Sequence, residues 1–178
     1  VALAELTDRQ FIDEMIMYKH TVISQIAMSQ PVIALLCNQP NISMDSDEAY
    51  EAVEKYIFDY DYIDRSVVTS EAYIMVDSRM LRMSSGSMNQ WELYVQVVCA
   101  KPYNHLDPKL FKGVVGNRRD NIAKQVDARL NGQRLMGIGT LDLYSVDPAS
   151  VPDTFTSVLL TYRISDFRKE RLERDGNY

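Results

Sequence analysis

Trp91, Leu93, Val95, Val97 and Cys99 alternate with Glu92, Tyr94 and Gln96. Successive side chains of a strand point to opposite faces, so this pattern demands a strand with one wholly apolar side. A strand needs a partner, and a second alternating run lies just upstream: Ala72, Ile74 and Val76 against Tyr73 and Met75. Residues 71–77 are expected as that partner, with Met80–Met83 as an extension or adjoining strand. Ser84-Ser-Gly-Ser-Met-Asn89 supplies a turn of small residues. Residues 71–100 therefore read as an antiparallel hairpin.

The flanking segments change period. Phe11, Met15, Val22 and Ile26 recur near helical spacing behind Thr7 or Asp8 as N-cap, predicting a helix over 8–29. Pro31 interrupts it, and Val32–Cys37 reads as a short buried helix. Asp45-Ser-Asp-Glu48 opens another over 47–58, carried by Ala49, Val53 and Ile57. Residues 59–65 read as an irregular connection. Residues 101–117 hold Pro102, Pro108, Gly113 and Gly116 and read mostly as loop. Asn117 caps a helix from Arg118 to Leu130, which Asn131-Gly132 ends. Alternation returns at Gly139–Val146 and again at Thr154–Ile164.

The order is α, α, β, β, α, β, β, without regular β-α-β crossovers. An α+β fold is expected, a mostly antiparallel sheet with helices packed on one face. At 178 residues the chain buries about 70% of its unfolded surface and supports one core unaided. A single domain is expected over 1–178, with a helical part (1–65), a sheet-and-helix core (70–167) and a charged C-terminal arm (168–178). Charges of both signs crowd from Asp166 to Asp175, as a solvated helix or an arm that orders on a partner.

A net charge of −6 argues against a broad nucleic-acid footprint, since phosphate neutralisation supplies most of that affinity. Cys37 and Cys99 lie far apart and form no CxxC, so a reduced chain is the simpler reading than a disulfide. The first residues lack the basic and apolar regions of a secretory signal, and the longest apolar run, Val32–Cys37, is too short to span a bilayer. No membrane association is expected.

Catalytic patterns are sparse. With only His20 and His105, no zinc-ligand spacing exists. Asp59, Asp61 and Asp64 offer oxygen ligands but lack the glycine and terminal glutamate of a calcium loop. Asp77 and Glu92 fit a carboxylate-pair nuclease until the position two beyond the glutamate, where Tyr94 replaces the lysine. Gly137-Ile-Gly139 leads into a strand and lacks the third glycine of a dinucleotide loop. No catalytic residue, metal or cofactor is expected. Arg118 and Arg119, at the positive end of their helix, oppose its dipole and are consistent with a partner's carboxylates. The 11 tyrosines and 9 methionines suit an interface or a core equally.

Asn117–Gly132 is followed by Met136, Gly-Ile-Gly-Thr-Leu-Asp-Leu143, Ser145-Val146 and Leu159-Leu-Thr-Tyr-Arg-Ile-Ser-Asp-Phe167. This resembles the neck proteins of tailed bacteriophages, specifically the tail terminator and tail-completion family. There an Arg-x-Asp-type helix with an Asn-Gly stop leads to a Gly-x-Gly-x-Leu strand, and a last strand ends in an aromatic-polar-Asp-Phe sequence. The resemblance covers residues 70–167; the helix near 47–58 and the acidic segment 59–64 are additions to that pattern. It implies a tail-terminator-like α+β fold and a structural virion protein without enzyme activity. It also implies a homo-oligomeric ring, commonly a hexamer, that ends the tail tube and meets the head-completion or connector protein. DNA would pass through without sequence-specific contact, and assembly would take place in the host cytoplasm. Arg118, Arg119, Arg163 and Asp166 are expected to make polar contacts between subunits, with Thr154–Ile164 offering a strand edge. Two other classes stay open. One is a small non-enzymatic adaptor domain. The other is a divalent-metal hydrolase using Asp59, Asp61, Asp64, Asp77 or Glu92.

Overall fold

The computed structural model describes residues 8–60, 71–82, 89–135 and 139–164. Helix α1 (Asp8–Ala27) buries Tyr18, Val22 and Ile26, one stripe at helical spacing. The chain then turns by 73° into α2 (Gln30–Cys37). Pro31 lies in the first turn of α2, where its missing N–H forfeits no bond, so it starts this helix as much as it ends α1. Val32–Leu36 are all buried. Asn38, at φ 59°, closes α2 in the left-handed conformation that asparagine tolerates.

Helix α3 (Asp47–Tyr56) begins as its sequence predicts: the Ser46 side chain accepts from the Ala49 N–H. It ends two residues short of expectation. Ile57 is buried and opposite Ile74, so Ile57–Phe58 leave the helix to form strand β1, parallel to β2. Sheet pairing here outweighs the helical spacing of Ala49, Val53 and Ile57.

Strands β2 (Ala72–Arg82) and β3 (Asn89–Ala100) form the expected antiparallel hairpin, in register from Ala72 opposite Cys99 to Arg82 opposite Asn89. Of the turn expected over Ser84–Asn89, residues 84–88 lie outside the described residues, as does Met83, and Asn89 opens β3. A 3-10 turn at Lys101–Tyr103 interrupts the expected loop. Helix α4 (Arg118–Leu130) follows, capped by Asn117 accepting from the Asp120 N–H at 2.8 Å. The single strand expected over 139–146 is split. Strands β4 (Arg134–Leu135) and β5 (Gly139–Thr140) form a two-stranded ribbon, and β6 (Asp142–Asp147) joins the main sheet. Leu141 is the break: its side chain is fully buried and its backbone bonds to Gly132 and Gln133. Strand β7 (Phe155–Ile164) completes the fold.

The sheet order is β1-β2-β3-β7-β6, antiparallel except for β1. This is the α+β architecture expected. The apolar side of β3 packs with Ala72, Ile74, Val76, Val158, Leu160 and Tyr162 under the helices, in one continuous core. Burying side chains such as Leu93, Val95 and Val97 contributes about 1.5–3 kcal/mol each. The opposite face holds a smaller cluster of Tyr73, Met75, Val98, Ala100 and Phe155, against which Tyr56, Phe58, Tyr103 and Val151 pack.

The expectation that Thr154–Ile164 offers an edge is corrected. Strand β7 pairs with β3 from Phe155 to Ile164 and with β6 from Leu159 to Arg163, so its C-terminal half is an interior strand, and only residues 155–158 lack a strand partner on the β6 side among the described residues. The edge belongs to β6.

Candidate interaction site

Two arginine centres lie on different sides of the sheet. The first is built on α4. Arg118 is 2% exposed, although it is a charged residue in the first turn of a helix. Its Nη1 donates to the Leu35 carbonyl, its Nη2 to Asn38 Oδ1 at 2.6 Å and its Nε to the Tyr103 carbonyl at 2.8 Å. The guanidinium lies 3.9 Å from the Tyr103 ring centroid, and the Tyr103 hydroxyl donates to the Leu36 carbonyl at 2.9 Å. The carbonyls of Leu35 and Leu36 are among those a helix C-terminus leaves unpaired, and that end carries partial negative charge. The cation that seemed misplaced on α4 thus caps α2. Burial pulls its pKa below the usual arginine value, against Tyr103 and Cys99.

Arg119 is half-buried and ties α4 to β7. It donates to Thr156 Oγ1 at 2.6 Å and to the Ser157 carbonyl at 3.3 Å, and pairs with Asp120 at 2.6 Å. Together these contacts give the arginine pair an intrachain role. Arg118 in particular, expected at a contact between subunits, is turned inward; Arg119 keeps part of its surface outside.

The second centre lies on the sheet face away from the main core. Glu92 on β3 stands directly between Arg79 on β2 and Arg163 on β7. Its carboxylate is 1% exposed and accepts from Arg79 Nε at 2.8 Å, Arg163 Nε at 2.7 Å and the Tyr94 hydroxyl. Burial raises the Glu92 pKa, and the hydrogen bonds from Tyr94, Arg79 and Arg163 overcome it, so the net shift is downward. Tyr94 is pushed up to about 12 by burial and by its bond to that carboxylate. Arg163 also lies 3.2 Å from the centroid of the Tyr144 ring on the β6 edge strand. Asp142 on β6 stands opposite Arg163, so the cross-strand row sets two arginines against two carboxylates, with Arg79 well exposed.

Sequence reasoning named Arg163 and Glu92 but for unrelated roles; the register makes them partners. It missed Arg79, Tyr94 and Tyr144, which no local motif marks. The signal was two cross-strand alignments, invisible until the strands are paired. Asp166 lies outside the described residues, as do Asp61, Asp64 and the charged arm. Asp59 is exposed, and its carbonyl accepts from Lys19 at 2.6 Å; Asp77 is exposed and 3.7 Å from the same lysine. Asp77 and Glu92 are therefore engaged with cations rather than paired with each other. Among the described residues no group of three or more His, Cys, Asp or Glu could hold a metal ion. Both cysteines are free thiols. No single described helix is long and apolar enough to cross a membrane.

No curated protein matches the chain. The YomW family, a phage-derived, prophage-like protein family, has a model that matches residues 29–164, from the corner before α2 to the last residue of β7. The chain belongs to the YomW family and is a phage-related protein.

Proposed function

We propose that this phage-related chain is a structural, non-enzymatic protein of the virion neck. In this reading copies of it form a closed ring, a hexamer by resemblance, which terminates the tail tube and joins it to the head-completion or connector protein. The virion is its final location and the host cytoplasm its place of assembly. DNA passes through the ring without being read.

The observation that carries the reading is membership of a phage-derived family, in a chain whose residues 70–167 resemble the terminator pattern. The geometry supports it. Strand β6 is an edge whose side chains, Tyr144 and Val146 among them, are largely exposed, and beside it Arg163 keeps exposed surface. An edge next to a charged, aromatic patch suits docking against the tube or connector protein. Among the described residues, Asp77 and Glu92, two of the carboxylates an alternative hydrolase would use, face separate cations.

Light scattering and negative-stain imaging of the purified protein, alone and with tail tubes added, test this. Rings with a mass that is a whole multiple of 20.4 kDa, formed alone or on tube ends, are the expected result. A monomer that neither closes nor decorates tube ends, and instead binds one unrelated protein, overturns it in favour of an adaptor.

A further inference from the structure

A cleft of about 360 Å³ opens between α2, α4 and the loops around 40 and 111–115. Pro31, Leu35, Pro40 and Phe111 form its walls. Gln30, Asn121, Lys124 and Gln125 add polar groups to its lining, and on its outer side stand Val114 and Val115, the latter 89% exposed. Two adjacent exposed valines beside the cleft's apolar walls are surface that burial in a contact would stabilise.

The surroundings are cationic in a chain that is acidic overall. Between 101 and 125 there are six Lys and Arg against two Asp. Arg118 is buried, and Arg119 and Asp120 pair with each other. Lys109, Lys112 and Lys124 remain exposed, and none has an ion pair among the described residues. Lys124 lines the cleft, and Lys112 sits between two of its lining residues, Phe111 and Gly113.

A matching surface lies on the same chain. Asp47, Tyr50, Glu51 and Glu54 fall at i, i+3, i+4 and i+7 of α3, opposite its buried Ala49 and Ala52. All four are exposed, Tyr50 at 63%. The helix dipole accounts for acid in the first turn but not for Glu51 and Glu54 further along. Lys55, one turn on from Glu51, pairs instead with Glu71 at 2.6 Å. Helix α3 packs on α2, β1 and β2, whereas α4 packs on α1, α2, β3 and β7, so the stripe and the cleft are built on different neighbours of α2.

We infer that the lysine-rimmed cleft receives the acidic, tyrosine-centred stripe of α3 from a second copy of this chain. Each copy then offers one face and fills the other. Two different faces joined head to tail build a heterologous contact, which closes to a ring when its rotation allows. Tyr50 packs on the cleft's apolar wall, and Glu51 and Glu54 meet Lys112 and Lys124, giving a contact with an aromatic anchor and complementary charge. The inference rests on the self-assembly in the ring reading and assigns that assembly its faces.

The test is a pair of charge reversals at exposed positions, one variant carrying Lys112→Glu and Lys124→Glu, the other Glu51→Lys and Glu54→Lys. Circular dichroism and Trp91 fluorescence check that each stays folded. Sedimentation, or imaging on tail tubes where rings form only there, reads assembly. Each variant alone is expected to associate at least about tenfold more weakly, which corresponds to about 1.4 kcal/mol. An equal mixture is expected to recover assembly, because each acidic face then meets a basic one. Tyr50→Ala is expected to weaken assembly with no change of charge. If both variants assemble as the parent does, the faces are wrong and the ring reading survives. If both lose assembly and the mixture does not recover it, the pairing of these two faces is overturned. A parent chain that stays monomeric with and without tubes overturns both.

Discussion

Arg118 on α4 donates to the carbonyl of Leu35, 83 residues earlier in the chain, and so closes the C-terminus of α2 from outside that helix. The bond joins the two helices that flank the apolar cleft. It also explains why a cation is kept at a helix end whose dipole opposes it: its charge serves the neighbouring helix, not its own.

Replacing Arg118 with Ala is expected to destabilise the protein by about 3 kcal/mol, because it strands the buried Leu35 and Tyr103 carbonyls. Arg118→Lys is expected to recover only part of this. An ammonium cannot reach three acceptors on different segments in the planar fan that the guanidinium uses. Urea unfolding of the three proteins measures both losses. Equal stability for parent and Ala variant contradicts the capping role.

Glu92 makes stability depend on acid. Its folded pKa lies below the ordinary 4.5, so in the window beneath 4.5 the unfolded chain binds the proton and the folded one does not. Stability contributed by this group is therefore present above about pH 4.5 and lost as pH falls through the lower folded value. Glu92→Gln is expected to cost about 1–3 kcal/mol at pH 7, since Arg79 and Arg163 lose a charged acceptor yet retain access to water. The gap between the two proteins should narrow as pH falls below 4.5. Denaturant melts at pH 7 and at steps down to pH 3 follow it; a constant gap across that range removes Glu92 from the acid dependence.

The strands and helices were legible because each obeys one period over many residues. The run from Trp91 to Cys99 could be nothing but a half-buried strand, and Asn117 and Asn131 mark both ends of α4. The misreadings share a cause, which is that pairing partners lie far away. Ile57 continues a helical spacing locally and leaves the helix only because Ile74 stands beside it. Leu141 continues an alternation locally and breaks it because Gln133 and Gly132 claim its backbone. The candidate site was less legible for the same reason. Glu92 signalled chemistry only as a member of a failed nuclease pattern. Its actual partners are fixed by register across three strands, and Arg118 reads as a surface cation until α2 is folded against it.

The two thiols should differ in reactivity. Burial pushes Cys99 up to about 12, opposed by Arg118 and Arg119, so almost no thiolate exists there near neutrality. Cys37 is half-buried and is raised by burial and by Glu48, against Lys55. Timed alkylation of native protein at pH 8, read by peptide mass spectrometry, is expected to label Cys37 slowly and Cys99 only as fast as the protein opens. The same shift implies that stability falls as pH rises above the ordinary 9.0 toward about 12, where the unfolded thiol ionises and the folded one does not. Rapid labelling of Cys99 in folded protein contradicts its placement.

Trp91 separates packing from hydrogen bonding in the core. It is fully buried, meets the Tyr18 ring edge-on at 5.9 Å, and its indole N–H has no partner among the described residues. A buried donor without an acceptor costs about 1–3 kcal/mol. Trp91→Phe removes that donor along with some volume, and the two effects oppose each other. Trp91→Ala removes the same donor together with a volume the surroundings cannot refill, for about 3–5 kcal/mol. The phenylalanine variant is therefore expected within about 1.5 kcal/mol of the parent and the alanine variant far below it, by thermal and urea unfolding followed by circular dichroism. If Trp91→Phe is as damaging as Trp91→Ala, the indole N–H has an acceptor and contributes a bond that packing alone does not explain.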